Sequence, residues 1–218
     1  LLFPFPHGHL IVHLGMSGSL RVCDHRELIK KHDHIILGFH NNKQCHYHDP
    51  RRFGSWTWTT SDPMKHRLLH HLGIEPLNHQ FDGSYLRQQC IKRRIAIKKC
   101  LMDHTVVVGV GNIYANEALF RAKLHPLQPA NTLSQQHCEL LVSAIQDILQ
   151  QAIEVGGTTL RDFVSGDNQA GYFQQQLFVY NRANQPCYHC NQPIQRLVIA
   201  QRASFYCARC QKQQPSTK

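Results

Sequence analysis

Four cysteines close to the C-terminal end carry the clearest chemical signal in the chain. They form two pairs, each of the type Cys-x2-Cys, separated by sixteen residues: Cys187, Cys190, Cys207 and Cys210. Four thiolates at this spacing can close a tetrahedral Zn2+ site, and the alternating residues between the pairs predict a β-hairpin held at its base by the metal. Two disulfides or four buried free thiols are the alternatives. Because the sequence carries no export signal, a reducing compartment favours one structural zinc ion.

Two further motifs could hold a phosphate group. The hairpin is expected to turn near residues 200–203, where Arg202 could grip a phosphate with two parallel hydrogen bonds or simply be a surface charge. Gly109-Val-Gly111-Asn112 precedes a predicted helix, whose first backbone N–H groups favour an anion. An ordinary turn explains the same glycines, so this second motif leaves both interpretations open.

Basic and aromatic residues cluster at three more places. Arg51-Arg52-Phe53 follows a predicted turn, and its aromatic ring could wedge into a stack of bases or open the next strand toward the core. Lys92-Arg93-Arg94 and Lys98-Lys99 give a predicted helix a basic face, which is commonly a solvated face. His32-Asp33-His34 could contribute to a metal site, but without a third ligand at defined spacing we favour polar or nucleic-acid contacts.

Composition agrees with a polyanionic partner. The 218 residues include 24 Lys plus Arg against 14 Asp plus Glu, a formal net charge of +10, and 17 His add positive charge as the pH falls. A hydrophobic fraction of 42% suffices for a folded core and excludes a disordered chain. No apolar run reaches the length of a membrane span, so we expect no membrane contact and a cytoplasmic, nucleoid-associated protein.

The elements that must position these residues predict an α+β fold. Short strands with turn residues between them suggest a sandwich or barrel, and the pattern changes to helical at Asp62-Pro63. A polar stretch, 158–186, is predicted to form a mobile loop with one short strand at 177–180. The predicted strands are 9–14, 19–22, 35–40, 44–48 and 53–59, and the predicted helices are 63–72, 83–102, 112–123 and 134–154.

Four stretches, taken together and in this order, resemble the bacterial formamidopyrimidine-DNA glycosylase family. They are His13-Leu-Gly-Met-Ser-Gly-Ser-Leu20, Asp49-Pro-Arg-Arg-Phe-Gly54, Val107-Val-Gly-Val-Gly-Asn-Ile-Tyr-Ala115 and Gln201-Arg-Ala-Ser-Phe-Tyr-Cys207. The resemblance covers essentially the whole chain. It implies a partial N-terminal β-sandwich (1–73), a helix–two-turn–helix domain (74–157), a mobile base-capping loop (158–180) and a C-terminal zinc-finger β-hairpin (181–212).

The resemblance also implies an activity. Members of the family remove oxidised purines, 8-oxoguanine and formamidopyrimidines, and then cleave the abasic site by β,δ-elimination. We therefore expect a DNA repair glycosylase and AP lyase that binds, as a monomer, double-stranded DNA with oxidised bases or abasic sites. The alternative is a non-catalytic, zinc-dependent module that binds damaged DNA. A zinc-ribbon protein of RNA or transcription is a third interpretation, which the wedge and helix–two-turn–helix motifs disfavour.

Site residues follow from the resemblance by position. Three match the wedge that fills the space left by the extruded nucleotide: Met16, Arg51 and Phe53. Five match DNA contacts: His32, Arg51, Arg93, Asn112 and Arg202. Arg93 stands where the family usually has Lys, which preserves the charge. Arg202 also matches the catalytic residue assigned to δ-elimination.

The front of the sequence departs from the family pattern. Members begin, after removal of Met, with Pro-Glu; the proline amine attacks the sugar and the glutamate serves as acid. A catalytic Lys follows, and the match places it just before Leu1. Pro4 and Pro6 are internal and have no free amine, so they cannot replace this nucleophile. The resemblance therefore implies that the 218 residues alone lack the amine that forms the Schiff base, and we expect no base excision from them alone.

Overall fold

The structure, a computed structural model, describes residues 1–154 and 177–213. The chain forms two compact units, one from Leu1–His70 and the other from His71–Glu154 together with 177–213. The first unit holds the N-terminal strands, and the second holds the helices and the C-terminal hairpin. The predicted α+β class is confirmed. The predicted loop 158–180 lies outside the described residues except for its last four.

The first unit contains two antiparallel sheets of three strands each. One has the order β1-β2-β6, from Leu2–Phe5, Gly8–His13 and Ser55–Thr59. The other has the order β3-β5-β4, from Ser19–Asp24, Lys43–His48 and Asp33–Gly38. The five predicted strands are all present within a few residues of their expected bounds, and β1 is an additional strand.

Alternation of apolar residues explains why these segments pair as they do. Ile11 and Val12 of β2 and Cys45 and Tyr47 of β5 are buried. The Tyr47 ring lies 5.4 Å from the Trp56 ring of β6, centroid to centroid, so one sheet contacts the other through aromatic side chains. Aromatic and β-branched residues favour strands because they pack well on a pleated, half-buried surface.

The second unit is built on four helices: α1 (Gly83–Cys90), α2 (Ile97–Leu101), α3 (Asn112–Arg121) and α4 (Gln135–Glu154). Asp82 caps α1 by accepting a hydrogen bond from the Tyr85 N–H at 2.7 Å. Ser134 does the same for the predicted helix α4, accepting from the His137 N–H at 3.2 Å. Apolar residues at three- and four-residue spacing form the core; those with no exposed surface include Leu86, Ile97, Leu119, Leu141, Ile145 and Ile148.

The single helix predicted over 83–102 is wrong, because tertiary hydrogen bonds interrupt it. The backbone after Cys90 leaves the helix and pairs with the segment before α4. The Ala130 N–H donates to the Ile95 carbonyl at 2.9 Å, and the Ile97 N–H donates to the Gln128 carbonyl at 2.7 Å. These bonds replace the helical ones, so the basic residues 92–94 lie on a connection between α1 and α2. The helix predicted after Asp62 is also short: only a 3-10 turn at Pro63–Lys65 forms there.

The C-terminal hairpin packs against α3 and shares a core with it. It consists of β7 (Gln195–Ile199) and β8 (Arg202–Tyr206). The shared core comprises Phe120, Val179, Cys187, Ile194, Phe205 and Cys207. The short strand predicted at 177–180 is wrong. The Glu117 carboxylate instead accepts the N–H groups of Phe178, Val179 and Tyr180 at 2.8–3.0 Å, which leaves these donors unavailable for a sheet.

Candidate functional site

The four predicted metal ligands meet at the base of the hairpin. Their sulfur atoms all lie within 4.8 Å of one another. The separations are 3.9 Å between Cys187 and Cys210, 3.4 Å between Cys190 and Cys207, and 3.6 Å between Cys190 and Cys210. A tetrahedral zinc with Zn–S bonds of about 2.3 Å requires S···S edges of about 3.8 Å, whereas a disulfide requires about 2.05 Å. The geometry therefore fits a zinc ion and not two disulfides.

Backbone turns around each cysteine pair prepare the sulfurs for a metal. The Cys187 N–H donates to the Gln192 carbonyl at 2.8 Å, and the Asn191 N–H donates back to the Cys187 carbonyl at 2.9 Å. A hydrogen bond from the Gln192 backbone, aided by the neighbouring thiols, lowers the pKa of Cys190 to about 7. Because the thiolate is the form that binds metal, this arrangement favours ligation near neutral pH.

The tip of the hairpin presents Arg202 from a two-residue turn. Ala200 and Gln201 have φ angles of 47° and 61°, the consecutive left-handed conformation of a type I′ turn. Arg202 follows at the start of β8, and its side chain is exposed. The predicted turn position is thus confirmed.

Two side chains from the helices hold this tip in place. The Asn112 Nδ2 at the start of α3 donates to the Ala203 carbonyl at 3.1 Å. The Lys98 Nζ donates to the same carbonyl at 2.9 Å and to the Ser204 Oγ at 2.6 Å. The structure therefore brings together Asn112 and Arg202, two predicted DNA contacts that are 90 residues apart in sequence. Gly109 precedes this site with φ of +75°, a conformation that favours glycine.

Lys98 is a candidate functional residue that sequence reasoning missed. The basic segment containing Lys98 and Lys99 was predicted to form an exposed face, but the Lys98 side chain is only 1% exposed. Burial, with Arg202 acting in the same direction, lowers the pKa of Lys98 to about 8. The available signal was its helical spacing: Lys98 precedes buried Leu101 by three residues and so shares its face.

An open cavity of about 300 Å3 lies beside this contact, between α2 and the hairpin tip. Three cations and one carboxylate line it, those of Lys98, Lys99, Arg202 and Asp103. Positive charge that converges on a concave surface is suited to a phosphate group. Arg93 lies on the preceding connection, half-buried, with its guanidinium bonded to the carbonyl and side-chain oxygens of Gln89.

In the first unit, Asp49 organises the loop that carries the predicted wedge. Its carboxylate accepts hydrogen bonds from the Ser17 hydroxyl at 3.1 Å, the Tyr47 hydroxyl at 2.9 Å and the Gly54 N–H at 2.8 Å. Ser17 is adjacent to Met16, so this one buried carboxylate ties together the two loops of the wedge. The remaining wedge residues, Arg51 and Phe53, lie within the loop itself.

The three wedge side chains are exposed in the first unit. Met16 is 66% and Phe53 is 57% exposed. The Arg51 guanidinium lies over the Phe53 ring, 4.8 Å from its centroid. Phe53 therefore does not open a strand toward the core, and β6 begins two residues later at Ser55. An exposed aromatic ring held under a cation is available to stack on a base.

His32 is fixed next to the same loop. The Asp49 N–H donates to the His32 carbonyl at 3.0 Å, and His32 has a φ of 79°, in the left-handed region. Burial, followed by the positive charges of Lys31, His48 and other neighbours, lowers the pKa of His32. A neutral imidazole can still donate one hydrogen bond to a phosphate.

Asp33 does not act as a metal ligand beside His32. Burial raises the pKa of this carboxyl, but hydrogen bonds from Lys30, His48, His46 and Arg21 outweigh burial and hold the pKa well below its usual range. Within the part of the chain that the structure describes, the cysteine cluster is the one group of three or more ligand side chains close enough to share a metal.

Three family models match successive parts of the chain. Residues 1–56 match the formamidopyrimidine-DNA glycosylase N-terminal domain, 72–164 match its H2TH domain, and 184–213 match the zinc finger found in FPG and IleRS. The chain is 51% identical to the formamidopyrimidine-DNA glycosylases of Salmonella arizonae and Cronobacter sakazakii. Each alignment covers 97% of this chain and 78% of the relative.

Solved structures show the same relationship. The MutM (Fpg) protein from Thermus thermophilus is 35% identical with a TM-score of 0.83, covering 96% of this chain and 78% of that one. The Lactococcus lactis Fpg in complex with abasic-site DNA is 32% identical with a TM-score of 0.83, covering 97% and 81%. A MutM in complex with DNA containing carbocyclic 8-oxo-G is 34% identical with a TM-score of 0.84, covering 97% and 78%.

A zinc finger joined to a helix–two-turn–helix domain and preceded by this N-terminal domain defines a class, the DNA glycosylases of base-excision repair. The chain belongs to the formamidopyrimidine-DNA glycosylase family, whose enzymes remove oxidised purines. AP lyase activity is consistent with this family. The predicted resemblance is confirmed, and the cysteine cluster is the site of one structural zinc. No helix among the described residues is long and apolar enough to cross a bilayer.

Proposed function

We propose that this chain binds duplex DNA containing an oxidised purine or an abasic site and takes part in excising the oxidised purine. In this proposal, Asn112 and Arg202 hold phosphates of the damaged strand, Arg93 adds a further cation, and Arg202 assists δ-elimination. Met16, Arg51 and Phe53 fill the space left by the extruded nucleotide, and His32 contacts the backbone nearby. One chain carries all of these groups, so we infer that it binds DNA as a monomer.

The observation that carries the proposal is the contact among Asn112, Lys98 and the residue after Arg202. One carbonyl, that of Ala203, accepts hydrogen bonds from the start of α3 and from α2. This arrangement fixes the backbone next to Arg202, whose exposed side chain lines a cavity together with two lysines. A cation held on a rigid support loses less conformational entropy when it binds a phosphate, and a guanidinium can do so through two parallel hydrogen bonds.

The first unit supports the wedge assignment independently. Its three wedge side chains project from loops that Asp49 joins. Inserting apolar side chains such as Met and Phe into base steps is a known means of holding bent DNA.

We propose the domain division 1–73, 74–157, 158–180 and 181–212 for these roles, although the helices and the finger pack as one compact unit. The Glu117 carboxylate supports a separate role for the segment 158–180. It binds the N–H groups of residues 178–180 and so fixes the C-terminal end of that segment to α3.

A salt titration of DNA binding tests the phosphate contacts. Wild-type protein loaded with zinc should bind a duplex containing an abasic-site analogue with an affinity that falls steeply as salt rises. Arg202→Ala should bind more weakly and with a log–log salt slope shallower by about one. Asn112→Ala should also bind more weakly but with the slope of the wild type, because a neutral amide releases no counterion.

Arg196→Ala is the matched control, since Arg196 is an exposed arginine on strand β7 of the same hairpin. It removes the same charge from the same finger without touching the tip. Equal slopes for Arg202→Ala and Arg196→Ala would contradict the proposal, because the contribution would then come from overall charge. A flat titration of the wild type would contradict DNA binding altogether.

A further inference from the structure

Three buried cysteines of the second unit take no part in the zinc centre. Cys90 ends α1, Cys100 lies in α2 and Cys138 lies in α4. None has exposed surface, and all are free thiols. The Cys90 sulfur lies 4.0 Å from the Cys100 sulfur and also interacts with the Cys138 thiol. Cys90 is therefore the central member of a thiol cluster drawn from three helices.

The element that carries Cys100 is the shortest of the three helices. Helix α2 has five residues and no side-chain cap, and it follows an irregular connection. Helix α4, which carries Cys138, has twenty residues and packs along α1. A disulfide bond is about 2.05 Å long, so the Cys90 and Cys100 sulfurs must approach by about 2 Å. A short, uncapped helix permits such a shift more readily than a long packed one.

We propose that Cys90 and Cys100 form a modification site. A hydroperoxide oxidises the two thiols to a reversible disulfide, which makes the basic segment 91–99 a closed loop. The segment between the two cysteines carries five cations: Lys92, Arg93, Arg94, Lys98 and Lys99. The bond would join the two ends of this segment. Thiol reductants reverse it by exchange.

The surroundings of the two thiols determine their order of reaction. The hydrogen bond with the Cys90 thiol lowers the pKa of Cys100, and Arg93 acts in the same direction, whereas burial raises it. The Cys100 thiolate attacks one oxygen of hydrogen peroxide, the O–O bond breaks, and a sulfenic acid and a hydroxide ion form; the hydroxide takes a proton from solvent and becomes water. The Cys90 sulfur then attacks the sulfenic sulfur. The S–S bond forms, and the hydroxyl leaves as water with the Cys90 proton.

The disulfide should lower the affinity for DNA, because it displaces Lys98, which supports the finger tip. Lys98 lies two residues before Cys100 on the same short helix and holds the finger tip through Ala203 and Ser204. Moving Cys100 toward Cys90 displaces that ammonium from its partners. If the loss of one such bond is carried over to DNA binding, affinity falls roughly fivefold. This second consequence rests on the proposed DNA function, whereas the disulfide itself does not.

Peptide mapping of the zinc-loaded chain tests the disulfide. After treatment with hydrogen peroxide and blocking of free thiols, trypsin separates Cys90 (peptide 88–92), Cys100 (100–121), Cys138 (124–161) and the zinc ligands onto different peptides. We expect the 88–92 and 100–121 peptides joined, with the loss of two hydrogens, at peroxide doses that release no zinc. Linkage of Cys90 to Cys138, or no linkage before zinc is released, would overturn the proposal.

Two variants separate this effect from damage to the finger. Cys100→Ala should retain its DNA affinity in peroxide, whereas Cys138→Ala should form the disulfide and lose affinity as the wild type does, with recovery in dithiothreitol. Equal loss of affinity in Cys100→Ala would overturn the coupling to DNA binding. Failure of the untreated wild type to bind DNA would instead contradict the proposed function, so the two results are distinguishable.

Discussion

Replacing Lys98 by methionine should change how the stability of the second unit depends on pH. The buried ammonium has a pKa of about 8 in the folded chain against an ordinary value of 10.5. Between these values the unfolded chain holds more protons than the folded one, so stability rises as the pH increases from about 8 to 10.5. The difference between the two pKa values corresponds to at most about 3 kcal/mol.

The hydrogen bonds around Lys98 explain why this gain is possible. A neutral amine still has two N–H donors for the Ala203 carbonyl and the Ser204 hydroxyl, so deprotonation removes the cost of burying charge and keeps both contacts. In Lys98→Met, the Ala203 carbonyl keeps the Asn112 donor. The variant therefore removes the titrating group without leaving that carbonyl unsatisfied.

The assay is chemical denaturation of the zinc-loaded protein at several pH values between 7 and 10.5. The difference in unfolding free energy between wild type and Lys98→Met should rise by up to about 3 kcal/mol across this range, which isolates Lys98 from other titrating groups. Lys99→Met, which removes an exposed lysine from the same helix, controls for net charge. Parallel curves for wild type and Lys98→Met would refute the reasoning.

Three further predictions follow from single contacts. Cys190→Ser should lower zinc content measured by elemental analysis and unfold the finger, because metal binding supplies its folding free energy; full zinc content with native stability would contradict this. Glu117→Gln should destabilise the second unit in thermal unfolding by about 2–4 kcal/mol, because one amide oxygen replaces a carboxylate that accepts three N–H groups. An unchanged melting temperature would exclude a stabilising role for the Glu117 carboxylate. Asp49→Ala should lower the unfolding free energy of the first unit by about 2 kcal/mol and weaken binding to abasic-site DNA without changing the log–log salt slope. A shallower slope would show that phosphate contacts were lost instead.

Local chemistry made the zinc centre and most elements predictable from the sequence. Each Cys-x2-Cys pair brings its own turn geometry, and the short hairpin between the two pairs brings Cys187 and Cys210 together. The strands follow alternation, and α4 follows a long apolar stripe with a serine cap. These signals lie within a few residues of one another, where spacing determines geometry.

The parts that depend on distant contacts could not be predicted. The break between α1 and α2 requires backbone partners at residues 128–131, more than thirty positions away. Lys98 was expected in solvent because a lysine is seldom buried, and only the finger supplies its acceptors. Exposure of Phe53 depends in the same way on Asp49, whose carboxylate joins this loop to Ser17, 32 positions earlier in the sequence.

Lys98 and Asn112 both donate to the Ala203 carbonyl, and this common acceptor links zinc occupancy to DNA affinity thermodynamically. If the finger loses its zinc ion, strand β8 is no longer held in place, and Lys98 and Asn112 lose the hydrogen-bond acceptor that β8 supplies. If DNA binds through that tip, then bound DNA must raise the apparent affinity for zinc by the same factor by which zinc raises the affinity for DNA. At a given concentration, a chelator should therefore remove zinc from a larger fraction of the free protein than of the complex, and cellular zinc scarcity would act first on molecules that are searching for damage.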